Sequence, residues 1–371
     1  MNDVIKIEKK SGEHGELAIA TLNAPKALNA LNLEMIETLG PLLEEWANDA
    51  SVRCVILKGE GDHFCAGGDI RALYNGVRPE RTDFPEVFFE KEYRLDYAIH
   101  RFPKPIIVWG SGVVMGGGMG LMQGSRYRIV SDTSKMAMPE ITIGLYPDVG
   151  ASFFLRKNPN LGKFLSLTAY RLNGAEALHA GLADYFIKEE NKNLVLEQLT
   201  NIQWTDSSMK NHELLEDFFS EHFDSSAIAE MSNALKDKTD FIESFSAQKT
   251  PQDIVKFAQA HADSDDKFIQ RSLKTLLSGS PSTIGIIFEQ FKRAEDMGLE
   301  DCFRMEWCLS VQCAYKHDFP EGIRALIIDK DKNPSWKPAQ VSDLKQDWID
   351  SHFVSPRADG SNPLSDLGKQ N

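Results

Sequence analysis

The sequence predicts an α/β protein: a core of strands and helices in alternation, followed by a mostly helical C-terminal region. Three observations carry this reading. Short, β-branched apolar runs alternate with helical patterns through the first half of the chain. From about residue 191 the strand signal gives way to charged, amphipathic segments such as NHELLEDFFSEHF and PQDIVKFAQAHA. The 371 residues, 42% hydrophobic and 26% charged, are enough to bury a sizeable core. The expected division is residues 1–200 as the α/β core with the active site and 201–371 as a mostly helical region packing on that core. Whether the second part stands as a domain or wraps the first stays open.

In chain order, LAIATL (17–22), CVILK (54–58), PIIVWG (105–110) and YRIVS (127–131) read as buried strands. Between the first two, NLEMIETLGPLLEEWAND places Ile36, Leu39, Leu43, Trp46 and Ala47 on one helical face, with Asn32 as its cap. Gly40-Pro41 is expected to bend or interrupt that helix. SGSPST (278–283) reads as a turn and a helix start, and the polar tail DGSNPLSDLGKQN as a segment that frays.

Composition excludes several classes of function. A net charge of −14 argues against nucleic acid as the main partner. No apolar run approaches a membrane span, and MNDVIKIEKK has neither a signal core nor transit character. The five cysteines are odd in number and form no C-x-x-C pair, which fits a reducing compartment rather than a disulfide framework or a zinc site. The expectation is a soluble, cytoplasmic protein. A P-loop, H-E-x-x-H, G-x-S-x-G and G-x-G-x-x-G are all missing from the sequence.

Three segments remain: HFCAGGDIRALY (63–74), GSGVVMGGGMGLM (110–122) and MPEITIGLYPDVG (138–150). The first two put small residues where a strand hands over to a helix. Backbone N–H groups are free there, the helix dipole favours negative charge, and glycine lets a ligand come close. Two converging amides of this kind make an oxyanion hole, where one donor supplies roughly 3 kcal/mol to a transition state. The third segment carries Glu140 and Asp148 in an apolar run without Lys or Arg. Plainer roles exist for both: Glu140 as the start of a turn after Pro139, Asp148 as a turn or N-cap residue after Pro147. Glu92, in EKEYRLDY, fits a solvated helix face, and Cys65 and His63 fit a buried small residue and a loop histidine.

NAPKALNALN (23–32), FCAGGDI and the MGGG run resemble the enoyl-CoA hydratase/isomerase, or crotonase, superfamily. FCAGGDIRALY, VFFEKEYRL (87–95), MPEITIGLYPDVGASFFL and HDFPEGIRALIIDKDKNPSWKP (317–338) resemble its 3-hydroxyisobutyryl-CoA hydrolase branch, over nearly the whole chain. The resemblance implies a crotonase-like β/α spiral core and an acyl-CoA substrate, with no cofactor beyond the CoA carried by that substrate and no metal. Crotonases often form trimers or hexamers, so a homo-oligomer is possible.

By motif match, the resemblance assigns the two oxyanion amides to Ala66 and Gly117. It assigns CoA contacts to Lys26 and to Ala66, Gly67, Gly68 and Asp69, and catalysis to Glu140 and Asp148, with Glu92 as a further substrate-contacting acid. Hydratases of the superfamily carry a second catalytic Glu where this sequence has Gly120. The expectation is therefore hydrolysis of a short-chain 3-hydroxyacyl-CoA, with Glu140 as base or nucleophile and Asp148 on the 3-hydroxyl. The alternatives are hydration or isomerisation of an enoyl-CoA, or CoA binding without turnover.

Overall fold

The computed structural model describes residues 4–78, 80 and 82–369. The chain forms two compact units, each assembled from three separated segments. The first comprises Met1–Gly68, Arg94–Met136 and Arg171–Lys236, the second Asp69–Tyr93, Ala137–Tyr170 and Asp237–Asn371.

The first unit is built on a six-stranded sheet of order β1-β2-β3-β4-β6-β8. The strands are β1 (Ile5–Gly12), β2 (Gly15–Leu22), β3 (Val52–Gly59), β4 (Ile106–Gly110), β6 (Tyr127–Val130) and β8 (Tyr185–Phe186). β5 (Val113–Met115) pairs separately with β7 (Lys135–Ala137). β1 runs antiparallel to β2, and all later pairs in the main sheet are parallel. The four expected strands are present as β2, β3, β4 and β6. The hairpin strand β1 was not expected, because its IKIEKKSG run looks mainly charged; the alternation of Ile5 and Ile7 with Lys and Glu is its only signal.

One face of this sheet makes the core. Leu17 and Ile19, Cys54 and Ile56, Ile107 and Trp109, and Tyr127 and Ile129 are buried in one cluster. Each pair is two residues apart, so both members leave the same side of their strand. Helix α1 (Leu33–Asn48) joins β2 to β3, and the Asn32 side chain accepts the Met35 N–H at 2.8 Å as the expected cap. It buries Met35, Ile36, Leu39, Leu42, Leu43 and Trp46. Of the expected bend or interruption at Gly40-Pro41, the interruption does not occur, since Pro41 lies inside the helix. Pro41 and Glu37, whose carbonyl the missing N–H would have met, both lie on the exposed face, where water is at hand.

The second unit is helical, as the C-terminal sequence predicts. It contains α2 (Ile70–Asn75), the first ten residues of α3 (Phe84–His100), and the helices Pro159–Thr168, Pro251–Ala260, Lys267–Ser278, Pro281–Ala294 and Leu299–Tyr315. Ser280 caps Pro281–Ala294 through Thr283 N–H, as SGSPST predicts. The expected fraying of the tail does not hold up to residue 369. Leu364 is fully buried, and Asn362 Nδ2 donates to the Arg304 carbonyl at 2.9 Å while Arg304 Nε donates to the Leu364 carbonyl at 3.1 Å. Two leucines in a polar stretch, Leu364 and Leu367, supply the anchor. Leu364→Ala is expected to cost about 2–5 kcal/mol in a denaturant melt; a neutral substitution would mean an undocked tail.

Candidate active site

In the first unit the site is made of backbone. The Cys65 and Phe64 amides donate to the Val113 and Ser111 carbonyls, at 3.1 and 2.8 Å, and the Met115 amide donates back to Cys65 O at 3.0 Å. The CAGG loop is thereby laid alongside β5. Gly116 (φ 49°, ψ −122°) then turns the chain into α4 (Gly117–Gly124), a conformation open to glycine alone. A Cβ on Gly118 would lie 2.4 Å from the Cys65 carbonyl oxygen, so the two loops can abut only without one. Gly117 is the first residue of α4. Its amide is therefore one of the four that no helical carbonyl can take, at the positive end of the helix dipole.

Ala66 does not fit its expected role. Its N–H donates to the Leu28 carbonyl at 3.0 Å. An amide committed to a main-chain acceptor is not aimed at a ligand. Gly67 has φ +113°, and its carbonyl takes the Leu31 N–H at 2.8 Å, which fixes the loop on its other side. Lys26 is exposed in the turn Pro25–Ala27. Cys65 is buried, and His63 Nδ1 accepts the Val113 N–H at 3.2 Å, as befits a loop histidine. Gly120 is buried inside α4 and offers no proton donor or acceptor beyond its backbone.

In the second unit the site is made of side chains. Asp69 caps α2 by accepting the Ala72 N–H at 3.0 Å. Glu140 opens the short turn Glu140–Ile143, which Gly144 (φ 75°) closes. Glu140 is 4% exposed, Asp148 4% and Glu92 3%. Glu92 is thus no solvated residue. Phe89, Glu92 and Tyr93 stand at i, i+3 and i+4 of α3 and share one face, a pattern that could have been read from EKEYRL. Oε2 of Glu140 and Oε1 of Glu92 are buried without a hydrogen-bond partner among the described residues. Buried orphan oxygens are costly and call for an explanation, of which a catalytic role is one.

Like charges compound the burial. Desolvation pushes the Glu140 carboxyl well above its ordinary range, and the negative charges of Asp148 and Glu92 push it further. Glu92 is raised by burial and then by Asp148. Asp148 is pushed up to about 6 by burial, against the Tyr93 hydroxyl that favours its ionised form. Asp148 Oδ2 meets Tyr93 OH at 2.7 Å, and Tyr93 OH meets Ser310 Oγ at 2.6 Å. Ser310 Oγ meets Tyr146 OH at 2.8 Å, and Tyr146 OH meets the Glu306 carbonyl at 2.8 Å. These four contacts share three hydroxyl hydrogens when Asp148 is ionised; a proton on Asp148 supplies the fourth.

Tyr93, Tyr146, Ser310 and Glu306 were not singled out in the sequence. Glu306 and Ser310 lie one turn apart on the helix Leu299–Tyr315, and Phe303 on the same face packs against Tyr93 with ring centroids 5.8 Å apart. The one available signal was an acid, Glu306, in a stretch whose neighbours Met305 and Trp307 are apolar.

A family model described as Enoyl-CoA hydratase/isomerase matches residues 17–353. Among curated proteins, the chain is 36% identical to the human protein named "3-hydroxyisobutyryl-CoA hydrolase, mitochondrial", over 95% of this chain and 88% of that one. It is 33% identical to "3-hydroxyisobutyryl-CoA hydrolase 1" of Arabidopsis thaliana, over 94% of this chain and 91% of that one. Among solved structures, a carnitinyl-CoA dehydratase from Mycobacterium thermoresistibile superimposes with a TM-score of 0.84 at 29% identity, covering 100% of both chains. An enoyl-CoA hydratase from Rhodobacter sphaeroides does so with a TM-score of 0.80 at 29% identity, covering 94% of this chain and 97% of that one. The fold is thus the crotonase fold, with a helical C-terminal region.

The raised carboxyls predict a pH signature. Glu140 binds its proton more tightly in the folded chain than in the unfolded one. Its contribution to stability is therefore full below its ordinary value of 4.5 and is lost as pH rises towards its folded value. Glu140→Gln removes that loss. The variant's melting temperature is expected to exceed that of the parent by a margin that grows from pH 4.5 to pH 8; a constant margin would contradict the shift.

Proposed function

The chain belongs to the enoyl-CoA hydratase/isomerase family, and from that premise we propose that it hydrolyses short-chain 3-hydroxyacyl-CoA thioesters. The reaction takes 3-hydroxyisobutyryl-CoA to 3-hydroxyisobutyrate and free CoA, a step of valine breakdown. The observation that carries this reading is the pair of substitutions in the acid set. Gly120 stands where a hydratase of the superfamily keeps its second acid, while Asp148 is buried and charge-coupled to Glu140. Hydration needs one group to deliver a proton and another to remove one, and Gly120 can do neither.

Hydrolysis asks for less. The thioester oxygen gains negative charge as the carbonyl carbon becomes tetrahedral, and the Gly117 amide with that of Gly67 or Gly68 holds it. Glu140 removes a proton from the attacking water, or attacks the carbonyl itself to give an anhydride that water then opens. A carboxyl with raised proton affinity is the stronger base once ionised. Asp148 accepts the substrate's 3-hydroxyl, and Glu92 lines the acyl end. The C–S bond breaks to release a thiolate, a good leaving group that needs no strong acid behind it. CoA enters as part of the substrate, with Lys26 on its anionic part, and the chemistry requires no separate cofactor.

All five cysteines are buried thiols outside any disulfide, which supports a reducing compartment. No helix among the described residues is long and apolar enough to cross a membrane. We place the reaction in the cytoplasm, whereas the vertebrate relatives are named as mitochondrial.

The test is free-thiol release from a panel of short acyl-CoAs with and without a 3-hydroxyl. Release from 3-hydroxyisobutyryl-CoA or 3-hydroxypropionyl-CoA is expected, falling about 10²–10⁴-fold in Glu140→Gln. Water addition to an enoyl-CoA without thiol release would instead make the protein a hydratase, and tight CoA binding with neither reaction would make it a binding protein.

A further inference from the structure

Asp148 precedes a short helix, Ala151–Phe154, and by sequence it is the natural residue to cap it. It does not. No side chain of its own segment caps the helix start; the Asp148 carbonyl accepts the Ala151 N–H at 2.9 Å, and the carboxyl of Asp148 is turned to Tyr93 instead. The acceptor comes from 156 residues downstream: Glu306 Oε2 takes the Gly150 N–H at 2.6 Å and Oε1 takes the Ser152 N–H at 2.9 Å. Glu306 is itself fully buried.

A second side chain acts on the same segment. Gln290, in the helix Pro281–Ala294, donates from Nε2 to the Pro147 carbonyl at 2.7 Å and to Ser152 Oγ at 2.8 Å. The residues flanking Asp148 are thus gripped on both sides. The grip is needed because Val149 (φ 55°) and Gly150 (φ 86°) are both left-handed. A β-branched residue in that region is strained and persists only where its surroundings hold it.

We infer that Glu306 is a positioning residue for the reaction: by capping Ala151–Phe154 in place of Asp148, it frees the Asp148 carboxyl to meet the substrate hydroxyl. The inference rests on the proposed role of Asp148. Glu306 need not touch substrate; it determines which way the adjacent acid points. A capping Asp148 would have its oxygens on backbone amides and would no longer discriminate between acyl groups with and without a 3-hydroxyl.

The experiment compares kcat/KM for 3-hydroxypropionyl-CoA and for propionyl-CoA in the parent, Asp148→Asn and Glu306→Gln. The isosteric Gln presents an NH2 to one of the two amides, so the cap fails while the volume stays. Asp148→Asn is expected to collapse the ratio of the two substrates. Glu306→Gln is expected to lower the hydroxylated substrate's kcat/KM about 10–100-fold and that of propionyl-CoA much less, since misplacing a group by about 1 Å costs up to that much. Gln290→Met, which removes the other hold, is read in the same way should Glu306→Gln melt too early to assay.

Equal losses on both substrates in the Glu306 and Gln290 variants, or no loss, would overturn the inference while leaving the role of Asp148 intact. A ratio unchanged in Asp148→Asn would overturn the role of Asp148 first and the inference with it.

Discussion

Three carboxyl groups buried within reach of each other's charge repel whenever more than one is ionised. Glu92, Glu140 and Asp148 are in that state in the second unit, and the charges that perturb Glu140 beyond burial are those of the other two. Left to local forces, such groups would turn outwards or cap the nearest amides. What holds Asp148 inside is an array that begins at Tyr93, passes through Ser310 and Tyr146, and ends on the main chain of Glu306. Glu306 then repeats the pattern one level further out. Its own carboxyl is pushed up to about 8 by burial, against the amides of Gly150 and Ser152 that favour its charge. The segment that bears Asp148 is thus held by another buried acid.

The first unit solves the complementary problem with no side chains at all. Its donors are amides whose direction is set by glycine geometry, at Gly116 by the turn into α4 and at Gly118 by the closeness of Cys65. A thioester oxygen in its transition state has a full developing charge but no fixed partner in the resting enzyme, so amides with no internal acceptor suit it.

The local parts of this arrangement were legible in the sequence. Four strands, the Asn32 cap, the SGSPST helix start and the segments bearing Gly117, Glu140 and Asp148 follow from patterns within ten or so residues. What depended on distant residues was not legible. Ala66 looks like a donor until Leu28 is seen to accept its N–H, and Asp148 looks like a cap until Glu306 arrives from another helix. Gly40-Pro41 reads as a bend or an interruption because the sequence does not show its exposure, and the tail reads as loose because its two buried leucines, Leu364 and Leu367, are set among polar neighbours. Glu92 is the intermediate case: its helical face was written in the spacing of Phe89 and Tyr93, but charge in the surrounding EKEYRLDY masked it.

The interleaving of segments has a consequence for how the protein is made. The last residue of the first unit is Lys236, whereas the second unit needs the chain to its end. During synthesis the amide-bearing unit is complete while Glu140 and Asp148, already translated, still lack the helices Pro281–Ala294 and Leu299–Tyr315. For that interval the acid-bearing loop is an orphan on the ribosome. A message truncated before Pro281 would yield the first unit whole and leave Glu140 and Asp148 without the helices that hold their loop.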